Sequence, residues 1–117
     1  MKSAVSIVAI ATMTLAMPAY AMPTDKEKQR HYENPTADDA ENFVIDTEKE
    51  MFDFSIDAGR TYWINSTYIT EDTDALAAKI GAEGTTMSVN AAIDAAQFND
   101  VPGIDPVVKR KLDKLRG

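Results

Sequence analysis

Few side chains in this 117-residue sequence combine the type and spacing that chemistry needs. Cysteine is absent, which excludes thiolate nucleophiles, thiolate metal sites and disulfide frameworks. His31 is the single histidine, so a zinc site needing two imidazoles cannot be built from this chain. It stands beside Tyr32 in a polar stretch, with no carboxylate or second histidine at ligand spacing, and reads as solvated. Asp53 and Asp57 have the one-turn spacing of a carboxylate pair that could trade a proton. They share a stripe with Asp39, Asp46 and Glu50, which a solvated helix face explains, and no acid–base partner stands out. Lys109, Arg110, Lys111, Lys114 and Arg116 could grip phosphate, but with no interleaved aromatics they read as the wet side of a helix. Asn65-Ser66-Thr67 fits the N-glycosylation pattern, a tripeptide frequent by chance and meaningful only in a host with the machinery. No residue is assigned a catalytic, cofactor-binding or metal-ligating role.

The rest of the composition sets what those residues can sit on. With 44% hydrophobic and 26% charged residues the chain is of globular type, and its length allows one domain. A formal charge of -7 argues against nucleic acid or an anionic membrane as partner, since both would repel it.

Residues 1–21 read as a cleavable export signal. Lys2 gives the positive start, Ala4 to Met17 the mostly apolar run, and Ala19-Tyr20-Ala21 the small residues that a signal peptidase reads. The run is shorter than the roughly 20 residues of a membrane span. Cleavage after Ala21 leaves 96 residues with 11 basic against 19 acidic side chains, exported to the periplasm or secreted, with no stable membrane span.

Residues 22–34 mix charges without an apolar period and read as a flexible leader. Over 35–117 the pattern is all-α: two long antiparallel helices and a short third. Thr36 caps the first helix, with Asp39 placed to complete a capping box. At about 100° per residue, Ala40, Phe43, Val44, Met51, Phe54, Ala58 and Tyr62 form one apolar stripe up to about Asn65. Ile45, Phe52, Ile56 and Trp63 form a second, on another side of the cylinder. Asn65 to Ile69 reads as a turn and Thr70 as the next cap.

The second helix runs to about Phe98, with Leu76, Ala77, Ile80, Met87, Ala91, Ala95 and Phe98 on one side. Ala75, Ala82, Val89, Ile93 and Ala96 lie on another. Gly81, Gly84, Thr85 and Thr86 weaken its middle, but the apolar period keeps its phase, so the helix is expected to continue. Asp105-Pro106 opens the third helix, with Val107, Val108, Leu112 and Leu115 as its apolar side.

Two helices side by side cover one stripe each. A compact chain of 96 residues is about 32 Å across, whereas a 28-residue helix is about 42 Å long. The second stripes, with Phe52 and Trp63, are therefore expected to present an unmet interface.

Certain residues carry a family resemblance. Pro35-Thr36-Ala37 with Ala40, Phe43 and Val44, then Tyr62-Trp63-Ile64-Asn65-Ser66-Thr67-Tyr68-Ile69-Thr70-Glu71-Asp72-Thr73, resemble the N-terminal helices of the angiotensin-converting-enzyme-like zinc metallopeptidases, the peptidyl-dipeptidase family. The second stretch is similar to that family's Trp-x-x-x-Thr-x-Ile-Thr-x-x-Thr signature. Ala95-Ala96-Gln97-Phe98-Asn99 and Leu112 to Arg116 are similar to its next helix end and helix start.

The resemblance implies an all-helical enzyme with a deep cleft, releasing C-terminal dipeptides with zinc and often chloride as activator. Its first helices would form a lid over the cleft mouth. Zinc in that family is held by an H-E-x-x-H helix and a downstream glutamate, and no H-E-x-x-H occurs here. The expectation is an exported, lid-like N-terminal portion, inactive by itself, whose partner is the remainder of the peptidase fold. A free-standing secreted acidic helical module, docking its second stripes on a partner chain or a second copy, is the alternative.

Overall fold

Three N-caps set the architecture of the chain, and each is visible in a computed structural model that describes residues 29–117. The signal peptide expected over 1–21, and the leader as far as residue 28, lie outside the described residues. Thr36 Oγ1 accepts from Asp39 N (3.2 Å) while the Asp39 carboxylate accepts from Thr36 N (2.9 Å), a complete capping box that starts α1, Ala37–Thr67. Thr70 and Thr73 form the same reciprocal pair at the start of α2, Glu71–Ala96. Asp105 Oδ1 accepts from Val107 N (2.8 Å), and Pro106 opens α3, Pro106–Arg116. Acidic residues crowd the first turns of α1 and α2, where the helix dipole favours them. Among the described residues the fold is all-α.

α1 and α2 form an antiparallel hairpin. Asn65 meets Thr73 near the tip, Tyr62 meets Gly81, and Phe54 meets Gly84 further along. α2 is continuous through its glycines, and the contact explains them. A Cβ on Gly84 would stand 3.0 Å from the Phe54 ring, so the missing side chain lets that ring in. A glycine in a helix costs about 1 kcal/mol against alanine; here the packed ring offsets it.

Two boundaries differ from the pattern. α1 continues through Asn65-Ser66-Thr67, because Thr67 and Ser66 back-bond to Trp63 O and keep the last turn helical; only Tyr68 to Thr70 link the helices. α2 leaves α geometry after Ala96 and tightens into i→i+3 turns, with Phe98 N–H donating to Ala95 O and Asn99 N–H to Ala96 O (both 3.3 Å). Gly103, at φ +78°, then reverses the chain into α3.

The core lies at the end of the hairpin away from the tip. Ala40, Phe43, Val44, Ala95, Phe98 and Leu112 are buried together, with Tyr32, Val101, Ile104, Val108 and Leu115 packed around them. Phe98 is the hub, with ring centroids 5.4 Å from Phe43 and 4.9 Å from Tyr32. Because α3 reaches only this end, Tyr62 and Leu76, placed by the pattern on the buried stripes, remain about half exposed nearer the tip. No helix among the described residues is long and apolar enough to cross a membrane.

Truncating Phe98 to alanine should cost about 3–5 kcal/mol in urea unfolding, whereas Ile69→Ala at the exposed tip should stay within about 0.5 kcal/mol. The Thr36 hydroxyl, and secondarily its N–H, holds the Asp39 carboxyl below its usual range. A carboxyl depressed on folding stabilises above its unfolded range, and that stability is lost as pH falls through the folded value. Asp39→Asn should therefore lower stability at neutral pH and flatten the acid limb of the melting-temperature profile.

Candidate functional site

The stretch from Trp63 to Thr73 folds into the hairpin turn, and its threonines are committed to the backbone. Thr67 Oγ1 donates to Trp63 O (2.9 Å), and Tyr68 N–H donates to Ile64 O (2.8 Å), closing α1. The Thr73 hydroxyl donates to Tyr68 O (2.8 Å) and accepts from Thr70 N (2.9 Å), so this buried side chain ties the turn to the start of α2. Asn65 Nδ2 donates to Asp74 Oδ1 (2.7 Å) across the hairpin. The glycosylation tripeptide is thus a helical turn whose asparagine amide is already engaged. What the threonines fix is the outward display of Trp63, Tyr68 and Ile69, each at least 70% exposed.

The other concentration of polar contacts is at the core end. Asp94 and Gln97 lie near the C-terminus of α2 and hold the incoming chain. Arg30 N–H donates to Asp94 Oδ2 (3.1 Å), Tyr32 N–H donates to Gln97 Oε1 (3.0 Å), and Gln97 Nε2 donates to Arg30 O (2.8 Å). The Arg30 guanidinium spans to Thr47 Oγ1 (3.2 Å) and Glu50 Oε1 (2.6 Å) and lies 5.5 Å over the Phe43 ring. Thr47 and Asp94 are almost fully buried, so these bonds satisfy groups that water cannot reach. Burial of Tyr32 pushes its phenol above the usual value, with Arg30 opposing.

Beside this clamp a groove of about 550 Å³ runs between α1 and α2, with Glu50, Asp53 and Asp57 along α1 and Phe54, Met87 and Ala91 as apolar wall. Asp53 and Asp57 both line it, but each is an exposed helix-surface ion pair, with Lys49 (2.8 Å) and Arg60 (3.3 Å). Such pairs are worth little, and among the described residues that line the groove there is no histidine. His31 is exposed on the connecting segment. In the basic stretch of α3, Lys111 meets Glu48 (2.8 Å), Arg116 pairs with Asp113, and Lys109, Arg110 and Lys114 are exposed.

Among the described residues no three His, Cys, Asp or Glu side chains converge as metal ligands. Their donor set does not fit a zinc site with two imidazoles. The arrangement fixes helices and displays apolar surface. The clamp itself escaped the sequence pattern, which placed Arg30 in a leader. Its signal was Thr47 and Asp94, polar residues on the arcs that otherwise carry the core.

A protein-family model described as angiotensin-converting enzyme matches residues 34–117. No curated protein and no solved structure matches the chain. Replacing Asp94 with alanine removes the acceptor for Arg30 N–H and loosens Gln97. Tryptic cleavage after Arg30 should then accelerate by about tenfold or more, the worth of a buried hydrogen bond to a charged group, with helix content by circular dichroism unchanged.

Proposed function

The chain belongs to the angiotensin-converting enzyme family, and from that premise we propose that it forms the lid-like N-terminal helices of an exported peptidyl-dipeptidase-like zinc peptidase. By this reading it performs no catalysis alone. The observation that carries it is the use made of the signature residues. Thr67, Thr70 and Thr73 are spent on the turn, and Tyr68 and Ile69 are left facing outward. A hairpin fixed so firmly around an apolar tip is suited to packing and gating, with the remainder of the peptidase fold as its partner.

In full-length relatives of this kind zinc supplies the activated water for peptide hydrolysis. This chain's own residues would contribute position instead. Ile64, Tyr68 and Ile69 at the tip, and Val89 and Ile93 on the outer side of α2, are among the exposed apolar side chains that could meet the remainder of the fold. The apolar run before Ala21 supports export.

Purified chain, supplied with zinc and a blocked peptide that reports dipeptide release, should show no turnover. Chelator-sensitive release would overturn the reading. In a secreting bacterial host the exported product should begin at Met22 by N-terminal sequencing, and retention of Met1 on exported protein would remove the signal-peptide assignment.

A further inference from the structure

The outer face of α1 carries an apolar stripe with an internal symmetry. Ile45, Phe52, Ile56 and Trp63 are spaced seven, four and seven, so the pattern reads the same from either end and is centred on Phe54. At about 100° per residue the four fall within about 40° of one another, on the side of α1 opposite Phe43, Phe54 and Ala58. They are 55%, 65%, 40% and 70% exposed, so neither α2 nor α3 covers them.

We propose that this face is a homodimer seam, in which α1 of a second copy lies antiparallel across it about a two-fold axis level with Phe54. Self-complementarity is what a two-fold contact requires: a residue that meets a second residue must be met by that second residue in return. An antiparallel pairing about Phe54 brings Ile45 to Trp63 of the second copy and Phe52 to its Ile56. Each pair sets a larger ring against a smaller aliphatic, which fills the seam evenly. A parallel pairing would stack tryptophan on tryptophan and phenylalanine on phenylalanine. It would also align the two helix dipoles and bring the acidic first turns, Asp38 and Asp39, side by side.

Of the charges at the edges of the stripe, Lys49 and Arg60 on one side are paired within α1, to Asp53 and Asp57, and Glu48 on the other side is paired with Lys111 of α3, which leaves Glu41 as an acidic side chain at that edge. Gly59 has nothing within 4 Å of where a Cβ would stand, which keeps the flank thin. Four side chains from each copy remove on the order of 1,000 Å² from water, the lower edge for a specific interface.

The absence of cysteine makes the register readable. Full chains bearing Phe52→Cys and Ile56→Cys, mixed and oxidised, should cross-link to one another, as should Ile45→Cys with Trp63→Cys. Ile45→Cys alone should not, because its two copies lie roughly 27 Å apart in this arrangement. In sedimentation equilibrium the unmodified chain should be dimeric at high micromolar concentration, and Phe52→Asp should weaken dimerisation at least tenfold. Ile69→Asp, away from the seam, should not weaken it.

A monomer at those concentrations would overturn the proposal, as would self-cross-linking of Ile45→Cys, which marks a parallel pairing. If Phe52→Asp fails to fold, the cross-linking pattern decides alone. None of these outcomes bears on family membership or on the peptidase assay, so failure here is distinguishable from failure of the lid reading.

Discussion

A helix in a two-helix hairpin presents one side to its neighbour, and both long helices of this chain are apolar on two sides. From that geometric limit the distribution of order follows. Where α3 adds a third body, Phe43, Phe98 and Leu112 are buried and the chain entering from residue 29 is held by buried polar groups. Where only two helices meet, large side chains of α1 pack against glycines of α2, Tyr62 at Gly81 and Phe54 at Gly84, because those positions have no side chain. Beyond the seam, Phe52, Trp63, Val89 and Ile93 remain outside. The hairpin therefore has a core end and a display end, and its exposed apolar surface results from helix count rather than from loose packing.

The residues that carry the family signature work at the display end by local chemistry. A threonine hydroxyl can donate to one backbone carbonyl while accepting from an N–H, and Thr73 does both within a single turn. That fixes the connection at three residues, Tyr68 to Thr70, and with it the direction in which Tyr68 and Ile69 project. The signature thus encodes a rigid corner, which is why it can be recognised in a chain that has no zinc motif.

Much of this architecture was legible in the residues. Thr36 with Asp39, Thr70, and Asp105 before Pro106 announce helix starts because a short polar side chain ahead of a periodic run satisfies otherwise unpaired N–H groups. The second stripe of α1 was equally plain, since Ile45, Phe52, Ile56 and Trp63 cannot share an arc with Phe43 and Phe54. Helix ends were less so: the back-bonding that carries α1 through Thr67 depends on hydroxyl geometry, and the same Asn-Ser-Thr composition serves turns elsewhere. Thr47 and Asp94 marked one side of the Arg30 clamp, but what they hold was hidden for a different reason. The clamp joins groups more than sixty residues apart, from Arg30 to Asp94 and Gln97, and periodicity reports only on neighbours along one helix.

The exposed surface divides into two kinds, and the difference bears on what can cover each. The tip and the outer side of α2 offer Ile64, Tyr68, Ile69, Val89 and Ile93 in no symmetric order, so whatever packs there need only match them once. The α1 stripe repeats itself on reversal, a property that packing against a different surface does not demand but pairing with an identical one does. Acidic net charge opposes bringing two copies together, yet Lys49, Arg60 and Glu48 beside this stripe are already paired within one chain, to Asp53, Asp57 and Lys111. The repulsion is therefore long-ranged and open to screening by salt, while the apolar attraction is short-ranged and is not. Self-association through α1 should accordingly strengthen as ionic strength rises, the opposite of a contact built on the Asp and Glu side chains of this chain.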